Sequence, residues 1–330
     1  MTQMWPSPAA PDLGSFLLPL VRELRALGHE VQVSAISRRG GSPAKYAQLT
    51  ARAVRAARVH RPDVVFAHFL FPAGAAGLAA ATAAAAPLVL MGHGQDVANA
   101  ERPALRPFVQ GVVRRADAVI VNSRWLGERL ARLVPGVRYE VCDLGVDLRE
   151  FDPDTAVPAP WDGRHPRFLC VGSLIERKNV LGLADAFAAF GGGSLVFLGD
   201  GPLREELEHR PGVTVVGRVP HVEVPRWVAA ADVLCQPSLQ EPFGQAALEA
   251  MAMARSVVAT REGGAPEFVT QAAGVLVDPT DPASLRAGLE RAAAMPVPNP
   301  AARAAATAHD VRRQAAKMME IIERVVRAPG

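Results

Sequence analysis

The chain has 330 residues, of which 49% are hydrophobic and 21% are charged, with a formal net charge of +3. This length is sufficient for two domains with separate cores, and the composition is that of an ordinary globular protein. The positive charge is too small to indicate a nucleic-acid-binding surface, so we expect no nucleic acid among the partners.

The cysteines indicate a reducing compartment. Cys142, Cys170 and Cys235 stand singly and lack the spacing of a metal site or a disulfide framework. The first residues show no secretory signal, and the longest apolar run, 73–91, is interrupted by Pro87. We therefore expect a cytoplasmic protein whose run 73–91 forms a helix and a strand.

In the first half, hydrophobic patterns typical of helices and strands alternate. Leu17–Leu27 has helical spacing and is followed by Gly28, whereas Glu30–Ile36 alternates as a strand does. Further strands are predicted at 62–68, 88–91, 117–122 and 139–142, and further helices at 73–86, 103–116 and 124–133. This alternation predicts an α/β fold with a parallel, doubly wound sheet that binds ligands at the carboxyl ends of its strands.

Two regions of the first half are candidates for ligand contacts. His93 and Asp96 follow the strand 88–91, although a lone loop histidine is more often bonded to backbone. A basic stretch runs from Arg38 and Arg39 through helical residues to Arg61. A solvated helix face is the simpler interpretation of this stretch, and a membrane-binding or acceptor-binding patch is the alternative.

The second half begins after a linker rich in proline and aspartate, 152–166. The strand Arg167–Val171 leads into a loop in which Gly172 is followed by Arg177 and Lys178. Two adjacent cations after a glycine could clamp a diphosphate, although two exposed basic residues would give the same pattern. Strands follow at 195–198, 213–216, 232–236 and 256–260, and helices at 203–208, 281–294 and 301–326.

The segment 240–251 suggests an anion site next to two carboxylates. Pro242 and Gly244 mark a loop, and the residues after them favour a helix that starts near Phe243. Glu241 would precede this helix, Glu249 would lie about two turns into it, and the N–H groups of Gly244 and Gln245 could bind a phosphate. An exposed helix with two unrelated glutamates is the alternative.

Four motifs together resemble the retaining glycosyltransferases of family 4, which have the GT-B fold. They are H-G-x-D at 93–96, V-G-x-L-x-x-x-K-N at 171–179, G-D-G-P at 199–202 and E-x-F-G-x-x-x-x-E-A at 241–250. The resemblance implies two Rossmann-like doubly wound domains facing across a cleft. It places an acceptor domain at 1–155, a nucleotide-sugar-binding domain at 166–308, and a terminal helix at 309–330 that crosses back to the first domain.

The resemblance also implies roles for residues of the second domain. Glu249 would hold the ribose hydroxyls, and Arg177 and Lys178 the diphosphate. Glu241 would hold the donor sugar. The remaining implied donor-site residues are Gly172, the backbone of Phe243 and Gly244, and Asp200 beside the base.

In the first domain, the resemblance implies that His93 reaches the donor sugar near the reacting centre. Asp96 would orient His93 or hold the acceptor, and the loop around Gly14 would lie near the diphosphate and the acceptor. The family usually begins with a complete strand before that loop, whereas here only Met1–Met4 precede it. Either the protein starts upstream of Met1 or the domain is destabilised, and we expect the first.

The implied function is transfer of a sugar from a nucleotide-diphosphate sugar to a hydroxyl of a sugar, lipid or small molecule, with retention of anomeric configuration. No cofactor or metal is expected, since the cations would offset the phosphate charge. Peripheral contact with the inner face of the membrane is a further hypothesis. The alternatives are a disaccharide synthase or phosphorylase of the same fold and a non-catalytic nucleotide-sugar binder. A pyridine-nucleotide oxidoreductase is disfavoured, because no G-x-G-x-x-G follows an early strand.

Overall fold

A computed structural model describes residues 1–38 and 40–328. Arg39 of the basic stretch and the last two residues of the predicted terminal helix lie outside the described residues. The chain divides into two compact units. Unit 1 comprises Met1–Leu144 and the segment from Arg312 onward, and unit 2 comprises Gly145–Val311.

The described residues form helices and strands in alternation. The strands are β1 (Val65–His68), β2 (Leu88–Gly92), β3 (Ala118–Val121), β4 (Glu140–Val141), β5 (Arg167–Val171), β6 (Ser194–Leu198), β7 (Val213–Gly217), β8 (Val233–Gln236), β9 (Ser256–Thr260) and β10 (Gly274–Val277). The helices are α1 (Leu17–Ala26), α2 (Ala44–His60), α3 (Ala73–Ala84), α4 (Gln95–Asn99), α5 (Arg106–Val113), α6 (Arg124–Leu133), α7 (Val180–Phe190), α8 (Arg204–Glu208), α9 (Val224–Ala230), α10 (Gln245–Ala252), α11 (Pro282–Ala293), α12 (Pro300–Thr307) and α13 (Val311–Arg327).

Unit 1 contains a parallel sheet with helices on both faces. Its described strands pair in the order β1-β2-β3-β4. Met91 and Ile120 pack on one face against α1 and α13, whereas Leu90 and Val121 pack on the other against α5 and α6. Because successive side chains of a strand point to opposite faces, these buried runs support the two layers of helices. The predicted doubly wound α/β class is confirmed.

The predicted strand Glu30–Ile36 is wrong. Within the described residues, this segment pairs through a single parallel bridge between Ala35 and Thr2, and Thr2 also bridges His68 of β1. The N–H of Thr2 donates to the carbonyl of Ser34, and the N–H of Ile36 donates to the carbonyl of Thr2. Thr2 is the only described residue whose backbone pairs with this segment. Because a strand needs several paired residues, the alternating sequence pattern does not produce one here.

Unit 2, all of whose residues are described, contains a six-stranded parallel sheet in the order β10-β9-β8-β5-β6-β7. Helices α7 and α11 cover one face, and α9, α10 and α12 cover the other. Counted within the unit, this is the 3-2-1-4-5-6 order of the Rossmann sheet. The strand order reverses between β5 and β8, so a ligand is expected outside the carboxyl ends of these two strands.

Several helices are shorter than predicted, among them α3, α5 and α11, and two further differences in unit 2 have an identifiable cause. The helix predicted at 301–326 is divided into α12 and α13, because His309 and Val311 bond to the backbone of Val146 at 2.8 and 3.0 Å. Helix α10 begins at Gln245 rather than near Phe243, since Gly244 has φ +108° and cannot continue a helical turn. Glu249 therefore lies just over one turn into α10 instead of two.

Gly263 is a position at which unit 2 tolerates no side chain. Its φ is +148°, and a Cβ would overlap the carbonyl oxygen of Glu241. We expect Gly263→Ala to destabilise unit 2 by about 3 kcal/mol, which corresponds to a melting temperature lower by roughly 10 °C. Thermal unfolding followed by circular dichroism measures the change.

Gly192→Ala is the matched control in the same unit. Gly192 is exposed, and a Cβ there would make an ordinary contact with Phe190 at 3.5 Å. This variant should melt within about 2 °C of the wild type. Equal melting temperatures for both variants would contradict the steric account of Gly263.

Candidate functional site

Two loops of unit 2 meet where the strand order reverses. The loop after β5 carries Arg177 and Lys178, and the loop after β8 carries Ser238 and Glu241. Lys178 Nζ lies 2.5 Å from Oε2 of Glu241, although the two residues are 63 positions apart. The structure thus brings the predicted diphosphate cation and the predicted sugar-binding carboxylate into one ion pair at the expected ligand edge of the sheet.

The carboxylate of Glu241 is held ionised. Burial alone would raise the pKa of Glu241, but the charges of Lys178 and Arg177 and the hydroxyl of Ser238 lower the pKa below its ordinary value. Ser238 Oγ donates to Oε2 of Glu241 at 2.8 Å. Ser238 was not predicted from the sequence. The pair offers a cation to phosphate oxygens and an acceptor to sugar hydroxyls.

The lowered pKa of Glu241 predicts an acid-sensitive contribution to stability. A carboxylate with a lowered pKa stabilises the fold above its ordinary pKa, and this stabilisation is lost as the pH falls through the folded-state pKa. We expect wild type to melt above Glu241→Gln at pH 7, and the difference to shrink as the pH falls to 3. Thermal unfolding across this range is the measurement, and a difference that does not change with pH would contradict the paired carboxylate.

Gly172 and Gly244, the two predicted glycines of the donor site, both have positive φ angles. Gly172 has φ +146°, and a Cβ there would lie 3.9 Å from Cε of Lys178. Gly244 precedes α10, where a Cβ would lie 3.3 Å from Oε1 of Gln236. The predicted anion-binding groups at Gly244 and Gln245 thus stand at the N-terminus of an eight-residue helix.

The remaining predicted donor-site residues divide between packing and loop roles. Phe243 is buried, and its ring lies 5.1 Å from the ring of Phe268, so only its backbone can serve a ligand. Arg177 donates from Nη1 to the carbonyl of Gln240 at 3.1 Å. Asp200 accepts the N–H of Gly201 at 2.9 Å, which is a turn role, and its contact with a base stays a prediction.

Glu249 has a partner that the sequence did not reveal. His221 Nε2 lies 3.4 Å from Oε1 of Glu249, and His221 Nδ1 lies 3.0 Å from Oε1 of Glu150. Burial alone would lower the pKa of His221, but hydrogen bonds and charges from Glu150 and Glu249 raise it to about 10. His221 is therefore a cation at neutral pH between two carboxylates.

In unit 1, His93 and Asp96 lie together after β2. Oδ1 of Asp96 accepts the N–H groups of His93 and Gly94 at 3.1 and 2.8 Å, and Oδ2 accepts the N–H of Leu70 at 2.8 Å. Both carboxylate oxygens thus fix the loop that carries His93. The arrangement supports the orienting role that the resemblance implied for Asp96.

His93 is paired with a second histidine that the sequence analysis missed. His68 Nδ1 lies 3.0 Å from Nε2 of His93, and the rings stack at 5.2 Å. Burial lowers the pKa of His93 to about 4, although Asp96 opposes this shift. Both imidazoles are therefore neutral at pH 7. A neutral imidazole suits hydrogen bonding to a hydroxyl more than binding of a phosphate charge.

The predicted loop residue Gly14 lies close to the first residues of the chain, and Phe16 of the same loop packs against His93 with ring centroids 5.5 Å apart. Gly14 has φ +69°, and a Cβ would overlap the carbonyl oxygen of Met4. Only glycine therefore fits this approach of two backbone segments. Its predicted contact with a diphosphate or an acceptor stays a prediction.

Residues 1–38 and 40–328 contain neither a candidate metal site nor a candidate membrane span. No group of three or more histidine, cysteine, aspartate or glutamate side chains in this part of the chain could hold a metal ion. None of the helices formed by these residues is both long and apolar enough to cross a membrane. Cys142, Cys170 and Cys235 are buried thiols.

Family comparisons match both units. A family model described as "Glycosyltransferase Family 4" matches residues 13–150, and one described as "Glycosyl transferases group 1" matches residues 165–294. The D-inositol 3-phosphate glycosyltransferase of Mycobacterium sp. (strain KMS) is 32% identical over 271 residues, which cover 72% of this chain and 61% of that protein.

A second relative is the GDP-mannose-dependent alpha-(1-6)-phosphatidylinositol monomannoside mannosyltransferase of Mycolicibacterium smegmatis. It is 30% identical over 238 residues, which cover 60% of this chain and 62% of that protein. The chain thus spans less than two thirds of the length of both curated relatives.

Solved structures share the fold. Sucrose-phosphate synthase from Thermosynechococcus elongatus superposes with a TM-score of 0.77 at 22% identity, covering 94% of this chain and 92% of that one. Anabaena HepE in complex with UDP superposes with a TM-score of 0.74 at 20% identity, covering 98% of each chain. Identities this low support the fold alone, which is the GT-B fold that the motifs predicted.

Proposed function

Because the chain belongs to family 4 of the glycosyltransferases with the GT-B fold, we propose that it transfers a sugar from a nucleotide-diphosphate sugar to a hydroxyl acceptor. The ion pair of Lys178 and Glu241 is the observation that carries the proposal, since it lies at the reversal of the Rossmann sheet of unit 2. There it offers a cation for the diphosphate and a carboxylate for the donor sugar.

We assign the donor contacts to two loops of unit 2, the loop after β5 and the loop after β8. Lys178 and Arg177 would neutralise the diphosphate, and Glu241 would accept hydrogen bonds from sugar hydroxyls. Lys178 would be shared between Glu241 and a phosphate oxygen, because an ammonium group carries three N–H donors. The proposed acceptor is a hydroxyl of a sugar, a lipid or a small molecule, and no metal or other cofactor is expected.

The proposed reaction retains the anomeric configuration. The acceptor oxygen attacks the anomeric carbon on the face from which the diphosphate departs, and the glycosidic C–O bond to phosphate breaks. A departing phosphate oxygen takes the proton of the acceptor hydroxyl. The cations near Gly172 would stabilise the charge that develops on the leaving group. His93, which is neutral at pH 7, would contribute a hydrogen bond to the donor sugar.

A donor panel tests this function. The protein is incubated with UDP-glucose, GDP-mannose and ADP-glucose, with EDTA, and with acceptor sugars or inositol, and release of each nucleoside diphosphate is measured by ion-exchange chromatography. Release from one donor, slowed about 10²-fold or more in Glu241→Gln, supports the proposal. Binding of a donor without release would favour the alternative of a non-catalytic binder.

The panel also distinguishes other activities of the fold. Release that requires a sugar phosphate as acceptor would indicate a disaccharide-phosphate synthase, and cleavage that requires inorganic phosphate would indicate a phosphorylase. If the protein neither binds nor cleaves any donor of the panel, the proposed function is overturned.

We also propose peripheral membrane contact. The exposed residues Arg52, Arg55 and Arg58 of α2 would provide the basic surface for it.

A further inference from the structure

Glu150, His221 and Glu249 of unit 2 form a chain of alternating charge, which we call the Glu150–His221–Glu249 bridge. The imidazole lies 3.0 Å from Glu150 and 3.4 Å from Glu249. The side chain of Glu249 is 8% exposed and that of His221 is 21% exposed. The bridge joins the segment before the linker, the loop after β7 and the helix α10, so its members come from three separate parts of the unit.

We infer that His221 is a positioning residue that holds the carboxylate of Glu249 in the orientation that binds the ribose hydroxyls of a nucleotide. The inference rests on the proposed function, because it assumes a nucleoside diphosphate in unit 2. It goes further by assigning a task to His221, which belongs to none of the four sequence motifs.

The burial of Glu249 explains why a positioning cation is needed. A buried charged group needs a partner that offsets its loss of solvation, and a carboxylate that contacts a fixed partner is restricted in orientation. The two hydroxyls of a ribose both act as donors to such a group. A cation on one oxygen of Glu249 compensates the burial of this side chain and limits its rotation, so that the other oxygen can accept hydrogen bonds from the ribose.

His221 is itself fixed from two other sides. Its Nδ1 is held by Glu150, and the ring of Phe151 packs edge-on at a centroid distance of 5.7 Å. With the pKa of His221 raised to about 10, despite the opposing effect of burial, the imidazolium persists at the pH of any ordinary binding assay. Glu150 thus compensates the charge that His221 presents to Glu249.

A comparison of ribose and deoxyribose forms tests the inference. Affinities for UDP and dUDP, and for GDP and dGDP, are measured by calorimetry on wild type and on His221→Gln. We expect wild type to favour the ribose form about 10-fold, since one hydrogen bond to a charged group is lost with the 2′-hydroxyl. In His221→Gln the preference should fall to about 2-fold, because the glutamine is neutral.

Two further variants separate positioning from folding. His221→Lys retains a cation and should recover most of the ribose preference. His209→Gln makes the same change at an exposed histidine of the same unit and should leave the preference unchanged. Thermal unfolding of each variant verifies that it is folded before its affinities are compared.

The outcomes distinguish the two proposals. Failure of wild type to bind UDP or GDP would overturn the proposed function, and the inference with it. Binding with the same ribose preference in wild type and His221→Gln would overturn the inference alone. Equal affinity of wild type for ribose and deoxyribose forms would also overturn the inference, because Glu249 would then make no stabilising hydrogen bond with the 2′-hydroxyl.

Discussion

Lys178→Met is expected to bind nucleoside diphosphates about 10²-fold more weakly than wild type. Two effects act in the same direction. The variant lacks the ammonium group that lies beside the Gly172 loop, and it leaves the buried carboxylate of Glu241 without the partner now at 2.5 Å. The unpaired carboxylate would repel the phosphates. Calorimetric titration with UDP and GDP in EDTA measures the loss.

The double variant Lys178→Met/Glu241→Gln separates these two effects. It removes the cation but leaves no buried unpaired charge. We expect its affinity to stay well below that of wild type, because the diphosphate still lacks its cation. Recovery of wild-type affinity in the double variant would show that Lys178 serves only to neutralise Glu241. Arg286→Met, at an exposed ion pair on α11, is the control for general loss of positive charge.

Glu241→Gln is expected to lower turnover about 10²- to 10³-fold, in the range for removal of one preorganised polar group from a transition state. Its effect on affinity for the free diphosphate should be small or slightly favourable, because Lys178 loses its competing partner. A large loss of turnover without a loss of diphosphate affinity follows directly from the ion pair. Rates of nucleoside diphosphate release and calorimetric affinities, measured on the same preparation, provide both quantities.

Glu262→Gln is the matched control for this second variant. Glu262 is exposed, and its backbone carbonyl, not its side chain, accepts the N–H of Glu241 at 2.9 Å. Its turnover should stay within about 2-fold of wild type. Full turnover in Glu241→Gln, or equal losses in both variants, would contradict the role assigned to Glu241.

Much of the fold could be predicted from local pattern. The strands Arg167–Val171 and Ser256–Thr260 and the helix Arg124–Leu133 have the predicted bounds. Each is a buried strand or an amphipathic helix whose limits are marked in the sequence, as by the Ser123 side chain that caps Arg124–Leu133. In such elements, local propensity and tertiary packing agree.

The errors occur where a distant residue decides the structure. The pattern at Glu30–Ile36 is that of a strand, but the backbone ladder next to it extends no further than Thr2. The division between α12 and α13 depends on bonds to Val146, more than 160 positions earlier. Neither propensity nor periodicity contains this information. Strand β10 was missed for a different reason, since the run Gly274–Val277 is only four residues long.

Only part of the candidate site could be predicted, because its residues also depend on distant partners. Lys178, Glu241 and Glu249 stand in motifs whose spacing could be read from the sequence. Their partners could not be read, because His221 is a lone histidine located 28 positions from Glu249 and 71 from Glu150. Only the order of the strands brings these groups together.

The central claim is that unit 2 binds a nucleoside diphosphate at the reversal of its sheet, and one titration tests it most directly. Wild-type protein is titrated in EDTA with UDP, GDP and ADP, and with uridine, guanosine and adenosine. We expect one-to-one binding of at least one diphosphate and much weaker binding of its nucleoside, because Lys178 and Arg177 act on the phosphates. A folded protein that binds no diphosphate, or binds the nucleoside equally well, would contradict the claim.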